Sequence, residues 1–298
     1  MFDVMRARSL QAVARHGTIS AAAAALHLTQ SALSQQLVKL EREVGQPLLV
    51  RRGRGVVLTD AGILLVEHTN EILTRITETE TALEARRGQV VGRMAVAAFA
   101  TATRAILPAA LHQLRLHHPD LRLESREHDP DTALGLLVHG DVDMAIIDEW
   151  LPAEPHLPDW VQATHLIDDV SELALPARHH LLTAAGPISL SACADEHWIA
   201  WESGVRAHDW LRRALHEHGH ELHVAHTASE HQTFLSLVAA GLGVALVPRL
   251  GRGPVPDEVT LKPLHQPPVR RVFAAWRTDT ADRPAVQATL AALRNATT

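Results

Sequence analysis

Histidine and glutamate occur at a zinc-binding spacing in HEHGH, residues 216–220. Two histidines one helical turn apart hold the metal of zinc hydrolases, and a glutamate between them serves as the base. Gly219 argues against that geometry, because a glycine here is typical of a helix end and would take His220 off the face of His216. The chain has 21 histidines, so chance matches are common. We therefore expect no catalytic metal. Metal sensing by the wider segment stays open as an alternative, through His216, His218, His220, His223 and His226.

Other catalytic patterns are absent from the sequence. It contains no nucleophile elbow, phosphate loop or dinucleotide fingerprint, and the glycines of VAAGLGVALVP are typical of a helix end and a strand start. The single cysteine, Cys193, excludes an intramolecular disulfide and fits a reducing compartment. We expect a protein that is not an enzyme and that needs no cofactor.

Hydrogen-bonding side chains cluster instead at the start of a predicted helix, in TQSALSQQLVKLEREVG, residues 29–45. Apolar residues spaced three and four apart give this helix one buried stripe: Ala32, Leu33, Leu37, Leu40 and Val44. Its first turns present short polar groups that can reach base edges and phosphates in a major groove. The candidate DNA contacts are Thr29, Gln30, Ser31, Ser34, Gln35 and Lys39.

The neighbouring segments complete a DNA-reading module. Thr18 is placed to cap a preceding alanine-rich helix, and Thr29 to cap the second, so residues 18–45 predict a helix-turn-helix. The following GQPLLVRRGRGVVLT predicts a short hairpin, or wing, whose glycine-bent tip brings Arg52 and Arg54 to the DNA backbone or minor groove.

Charge is divided unevenly along the 298 residues. Residues 1–58 carry eight Lys or Arg against three Asp or Glu, a net charge of +5, whereas the remainder carries 20 against 31, a net charge of −11. A basic module on an acidic body is the pattern of a DNA-binding domain joined to another domain.

Residues 59–87 predict one long helix that is capped by Thr59 and free of proline. Heptad-like spacing gives it a seam for dimerisation, comprising Leu65, Thr69, Ile72, Ile76, Thr79 and Leu83. An acidic face makes packing on DNA unfavourable: Glu67, Glu71, Glu78, Glu80 and Glu84. A plain amphipathic core helix is the alternative.

From residue 90 onwards, apolar strands alternate with helices, which predicts an α/β body with parallel strands. The strand and helix order divides it into two lobes, with the chain crossing near Leu166 and Gln266. We place the DNA-binding domain at 1–58, the linker helix at 59–88 and the body at 89–298. Lobe one covers about 90–166 and 268–298, and lobe two about 167–267.

Taken together, these segments resemble the LysR-type transcriptional regulators along essentially the whole chain. The resemblance is carried by the order and spacing of TQSALSQQLVKLEREVGQPLL, RRGRGVVLTDAG, HPDLRLE, GDVDMAII, ELALPARHH, VAAGLGVALVPR and RRVFAAWR. It implies a winged helix-turn-helix, a dimerising linker helix, a two-lobed effector domain like a periplasmic binding protein, and a homodimer or homotetramer on DNA. Leu49, where the family commonly has Phe, and Gln35, where many members have Arg or Lys, depart from the pattern.

The resemblance places the effector between the lobes. Thr101 and Thr103 follow the first strand of the body, where their hydroxyls and free backbone N–H groups can hold an anion. Trp201, Glu202 and Ser203 follow a strand of lobe two, and His128 ends the second strand of lobe one. Helix capping by the threonines, a core position for Trp201 and a surface position for His128 are the alternatives. We expect a small, partly apolar effector, with a carboxylate as the working hypothesis.

The predicted function is therefore a ligand-responsive transcriptional regulator, in which closure of the lobes changes the spacing of the DNA-reading helices. A solute-binding protein is the alternative in another class. It would need a signal peptide, whereas MFDVMRARSL lacks an apolar core and begins a basic module. No apolar run is long enough for a bilayer span, and we expect a cytoplasmic location without a membrane partner.

Overall fold

The computed structural model describes residues 2–26, 28–52, 55–150, 155–183 and 185–297, with the backbone alone at 74, 77, 78, 80–82 and 84–87. It contains two compact units, Met1–Leu83 and Glu84–Thr298. None of the described helices is long and apolar enough to cross a membrane.

Three helices form the start of the first unit: α1 (Val4–His16), α2 (Ile19–Ala25) and α3 (Gln30–Val44). Both predicted caps are confirmed. The Thr18 hydroxyl accepts the N–H of Ala21 at 3.2 Å, and the Thr29 hydroxyl accepts that of Ala32 at 3.1 Å. The predicted stripe of α3 packs on α1 and α2 in a small apolar core that includes Leu10, Leu33, Leu37, Leu40 and Leu48.

The wing is the antiparallel pair β1 (Leu49–Arg52) and β2 (Gly55–Leu58). The carboxylate of Glu41 in α3 binds the start of β1. Its Oε1 accepts the N–H of Leu48 at 2.9 Å and that of Leu49 at 3.3 Å. Helix α4 (Asp60–Arg87) follows, capped by the Thr59 hydroxyl, which accepts the N–H of Gly62 at 3.0 Å. Gly62 is needed here because a Cβ would lie 2.3 Å from the carbonyl oxygen of Leu48.

The second unit is built on a seven-stranded sheet with the path β10-β6-β11-β5-β3-β4, on which β9 also pairs with β6. Its strands are β3 (Gly92–Ala98), β4 (Leu121–Glu127), β5 (Met144–Trp150), β6 (Val161–Pro176), β9 (Ala245–Pro248), β10 (Val259–Lys262) and β11 (Val269–Arg277). The prediction of parallel strands is right for β3 with β4 and β5. It is wrong for β11, which runs antiparallel to β5 and β6 because the chain returns from lobe two in the opposite sense.

Helices cover both faces of lobe one. They are α5 (Ala100–Ala105), α6 (Leu107–His117), α7 (Pro130–Val138) and α10 (Pro284–Ala296). Helices α5 and α6 are separate because the chain breaks at Ile106, where Pro108 starts a new helix. Met94, Val96, Ile146 and their neighbours form the core under α6 and α10.

Lobe two adds the parallel pair β7 (Trp198–Ala200) and β8 (Val224–Thr227), with α8 (Arg206–Glu217) and α9 (His231–Ala239). Its cores contain the large buried side chains Trp198 and Phe234. Strand β6 pairs with β11 in lobe one and continues into lobe two, where it pairs with β9 and β10. One continuous strand therefore belongs to both lobes.

Candidate functional site

The polar start of α3 is exposed, as its sequence predicts. Gln30, Ser31, Gln35 and Lys39 are exposed and Ser34 is half-buried, while the apolar stripe lies on the other side of the helix. The main-chain N–H groups at this end carry the positive end of the helix dipole, which favours a phosphate nearby. The face can thus donate and accept hydrogen bonds without losing any core packing.

The wing carries basic side chains in the same unit. Arg51 and Arg52 are exposed on β1, and Arg52 is opposite Gly55 in the strand pair. Arg54, the other predicted contact of the wing, lies outside the described residues. Because Glu41 binds β1 to α3, the wing and the polar start of α3 belong to one small structural unit.

In the second unit, a cavity of about 380 Å³ lies between the two lobes. We call it the cleft. Lobe one contributes residues after β3 and β4 and at the end of β5. Lobe two contributes residues after β7 and at the starts of α8 and α9. Its aromatic walls are Phe99, Trp150 and Trp201, and the rings of the two tryptophans are 6.1 Å apart at a steep angle.

A buried guanidinium forms the floor of the cleft. Arg270, on β11, donates from Nη2 to Asp169 at 2.6 Å and to the hydroxyl of Thr101 at 2.9 Å. Its Nη1 is 3.4 Å from a carboxylate oxygen of Asp148, and the guanidinium lies over the ring of Phe99. Asp169 also accepts the N–H of Leu250 at 2.8 Å, so Arg270 and Asp169 are firmly paired.

Asp148 is less well satisfied than Asp169. Only 6% of it is exposed, and burial raises the pKa of its carboxyl group, although the positive charges of Arg270 and Arg206 oppose the shift. Gly251 allows the close packing behind this floor. Its φ is +61°, and a Cβ would lie 2.3 Å from the carbonyl oxygen of Thr101.

His231, the first residue of α9, also lines the cleft. Burial lowers the pKa of its imidazole to about 3, and the charges of Arg270 and Arg104 act in the same direction. The ring is therefore neutral at physiological pH and offers one donor and one acceptor nitrogen. Among the described residues, neither nitrogen has a hydrogen-bond partner, a state that costs free energy in a buried group.

Ion pairs made by two arginines, one on α5 and one on α8, join the lobes across the cleft. Arg104 of α5 contacts Glu230, immediately before α9, at 2.9 Å and donates to the carbonyl of Gly251 at 2.9 Å. Arg206 of α8 pairs with Asp131 of α7 and donates to the carbonyl of Asp148 at 2.8 Å. A molecule entering the cleft meets lobes that already contact each other.

Of the six residues predicted for the effector, the structure brings three into the cleft: Thr101, His128 and Trp201. Glu202 and Ser203 do not line it, whereas the next two residues, Gly204 and Val205, do. Thr103 also does not line it. The prediction of a free N–H group is wrong there, because this N–H donates to the Phe99 carbonyl at 2.9 Å and the hydroxyl binds the Ala98 carbonyl at 3.3 Å.

Sequence reasoning missed the polar residues that matter most in the cleft: Asp148, Arg206, His231 and Arg270. Asp148 had a usable signal, since it lies near the carboxyl end of a predicted strand, where α/β proteins bind ligands. Arg270 had no such signal. An arginine in a strand shows the same sequence pattern when it faces solvent as when it faces a buried carboxylate.

The histidine-rich segment is not where the described metal-ligating groups converge. Helix α8 ends at Glu217 and Gly219 has a φ of +80°, so His220 lies beyond the helix, as expected. In the described part of the chain, the three-residue cluster with ligand atoms within 4.8 Å of one another is His179, His180 and Glu196. There both imidazoles approach the same carboxylate, at 3.2 and 3.4 Å.

Comparison with protein families identifies both halves of the chain. Residues 5–63 match the model of the bacterial regulatory helix-turn-helix protein, lysR family, and residues 87–298 match the LysR substrate binding domain. The chain belongs to the LysR family. This LysR-family protein is a DNA-binding transcriptional regulator with a domain for an effector, and the expectation from the sequence is confirmed at this level.

Relatives of similar length support the same assignment. The chain is 29% identical to the probable transcriptional regulator LrrA of Synechococcus elongatus, over 98% of this chain and 96% of that one. It is 31% identical to the transcriptional regulator AlsR of Bacillus subtilis, over 88% and 86%. Among solved structures, full-length OxyR of Pseudomonas aeruginosa has a TM-score of 0.71 at 24% identity, covering 99% of this chain and 95% of that one.

Proposed function

We propose that this LysR-family regulator senses a small molecule in the cleft and reads DNA with the polar start of α3 and the wing. His231 carries the first half of the proposal, because a buried imidazole without a partner within the described chain gains two hydrogen bonds when a polar ligand enters. Arg270 and Thr101 form the polar floor, and Trp150 and Trp201 form the apolar walls. We assign no chemical reaction to the cleft.

The DNA half of the proposal rests on the exposed polar residues of α3. Gln30, Ser31, Ser34 and Gln35 are the base-reading candidates, while Lys39, Arg52 and Arg54 supply charge for phosphates. Glutamine at 35 can make a bidentate pair with adenine. A solved relative, CbnR, is described in complex with its target DNA, and it has a TM-score of 0.60 at 20% identity over 99% of this chain and the whole of that one.

The assembly we propose is a homodimer or homotetramer joined through α4. Thr69 is buried and Leu65 packs on the core of its own unit, so the proposed interface uses the later part of the predicted seam. Ile76 and Leu83 remain 43% and 58% exposed, which leaves the later part of the helix for a second copy. Of the predicted acidic face, Glu67 and Glu71 are exposed, whereas the side chains of Glu78, Glu80 and Glu84 lie outside the described residues.

Regulation follows if an effector favours one arrangement of the lobes, since a ligand shifts an equilibrium only by its differential affinity for the two states. A reporter gene fused to the upstream region of this regulator's own gene tests the proposal. Val205→Trp fills the mouth of the cleft at a residue that is 43% exposed, so the fold should tolerate it. We expect this variant to bind DNA normally and to lose the response to growth conditions. A response equal to that of the unmodified protein would refute sensing in the cleft.

A further inference from the structure

The charges that line the cleft are mostly negative. Among the described residues, five carboxylates and two guanidinium groups line it: Glu127, Asp129, Asp131, Asp148, Glu230, Arg206 and Arg270. A third guanidinium, that of Arg104, pairs with Glu230 at its rim. The two arginines in the lining are already engaged, because Arg270 holds Asp169 and Arg206 holds Asp131. An incoming carboxylate would have to displace one of these pairs, and it would do so inside an acidic rim.

Asp148, unlike the two arginines, lacks a close partner of opposite charge. It is buried, and within the described residues its carboxylate accepts one long hydrogen bond, 3.4 Å, from a guanidinium whose shortest contact is with another carboxylate. Asp148 and Asp169 thus share one buried guanidinium, and Arg206, whose charge also acts on Asp148, is paired with Asp131. The carboxylate of Asp148 therefore lacks a close counterion of its own unless a proton or a cation supplies one. A ligand that brings a positive charge to Asp148 would remove this penalty.

The walls favour the same kind of ligand. Trp150 and Trp201 contact each other edge to face and both line the cleft, so this wall is aromatic and can pack against the apolar body of a ligand. His231 is neutral at physiological pH, so one of its ring nitrogens can accept a hydrogen bond from an ammonium or amidinium group. At about 380 Å³, the cavity is at the small end of the range for ligand sites.

We propose that the cleft is selective for a small organic cation, an amine or amidine on a flat apolar body, with the charge against Asp148 and the body against the wall formed by Trp150 and Trp201. This inference rests on the proposed function, that the effector binds in the cleft. It replaces the carboxylate of the working hypothesis, in which Thr101 and Thr103 together hold the anion, because Thr103 lies outside the cleft and its N–H donates to the Phe99 carbonyl.

Matched probes test the charge preference on the full-length protein. Phenethylamine, 2-phenylethanol and phenylacetate share one ring and differ in charge, and so do tryptamine, tryptophol and indole-3-acetate. Calorimetry should give each amine at least tenfold higher affinity than its carboxylate, with the alcohol between them. Asp148→Asn should remove at least tenfold of the amine affinity and spare the alcohol, whereas Asp257→Asn, at an exposed position outside the cleft, should change nothing.

The outcomes separate the inference from the proposed function. If neither amine binds, or if a carboxylate binds more tightly than its amine, the cation preference is refuted, and this comparison needs only the unmodified protein. If Asp148→Asn folds and keeps the amine affinity within twofold, the assigned role of Asp148 fails. If Val205→Trp leaves the affinity of every binding probe unchanged, the probes bind elsewhere and the proposed site itself fails.

Discussion

Arg270 holds Asp169 through two of its nitrogens, Nη2 at 2.6 Å and Nε at 3.2 Å from the same carboxylate oxygen. Both residues are buried, and they join β11 to β6 below the cleft. The pair therefore has a structural role in the effector-binding unit in addition to any contact with a ligand.

Removal of one partner of this pair should be costly. Asp169→Asn leaves a buried guanidinium without its main counterion, and we expect the free energy of unfolding to fall by about 3–5 kcal/mol. Tryptophan fluorescence during urea unfolding measures this selectively, because all six tryptophans lie in residues 150–276. Asp168→Asn is the matched control, since this neighbour is 57% exposed and its loss should cost less than about 1 kcal/mol. Equal losses in the two variants would contradict the structural role of Asp169.

His231 should make the unit less stable in acid. Its folded pKa, about 3, lies below the ordinary histidine value, so between these two pH values the unfolded chain binds a proton that the folded protein does not. Stability then falls as the pH falls, by about 2 kcal/mol from pH 7 to pH 5. His231→Gln should remove this part of the slope in urea unfolding, whereas His218→Gln, at an exposed position, should keep it. An unchanged slope in His231→Gln would show that the imidazole is not buried in its neutral form.

The wing and α3 should contribute to DNA binding in different ways. Arg52→Ala removes a phosphate contact, so we expect weaker binding to all sequences and a salt slope reduced by about 1. Gln35→Ala should instead relax the preference at particular base pairs, which a systematic set of operator variants would show. Arg122→Ala, 80% exposed on the effector-binding unit, is the control for loss of a surface charge. If Arg52→Ala and Gln35→Ala both keep the unmodified affinity and specificity, the wing and this face of α3 do not read DNA.

The later part of α4 should control assembly. Ile76→Glu and Leu83→Glu place charge on side chains that are 43% and 58% exposed in one copy, and each should weaken dimerisation at least tenfold if that surface is buried between copies. Sedimentation equilibrium measures the effect. Glu67→Gln, on the predicted acidic face, should leave the dimer intact. Dimers of normal affinity in both glutamate variants would place the interface elsewhere.

Gly62 should be intolerant of any side chain. Its missing Cβ would meet the Leu48 carbonyl oxygen at 2.3 Å, so Gly62→Ala must displace the start of α4 from β1. We expect the free energy of unfolding of the first unit to fall by about 1–3 kcal/mol, as for other overpacked sites. Far-ultraviolet circular dichroism measures this unfolding. Gly135→Ala in α7 is the control, since its Cβ would enter open space and add helix propensity. A Gly62→Ala protein as stable as the original would mean that this close approach relaxes without cost.

The sequence predicted the elements well where local chemistry decides them. Thr18, Thr29 and Thr59 cap helices as expected, and the wing forms at RRGRG with its tip outside the described residues. Helix α1 was not predicted, because its apolar positions are separated by arginine and glutamine and give a weaker pattern than those of α3. The antiparallel direction of β11 is set by the return of the chain between lobes, which no local pattern encodes.

The cleft was only partly predictable for the same reason. Thr101, His128 and Trp201 follow strands and were found by that rule, whereas Arg270 and Asp169 meet across 101 positions of the chain. Their pairing depends on the register of β6 against β11, and a single sequence carries no direct signal of it. The role of each residue in effector or DNA binding remains a prediction.

Strand β6 has a further consequence for how the two lobes move. It is hydrogen-bonded to β11 from Val161 to Val170 and to β9 and β10 further on. The lobes are therefore connected by a strand that is paired within the sheet and not by flexible segments alone. Relative movement of the lobes must twist β6. The pairing of β6 with β11 is already irregular beside Val272 and Phe273, where the register shifts. We expect the two lobes to unfold together in one calorimetric peak. We also expect ligand binding to rotate one lobe slightly against the other and not to open or close a wide hinge.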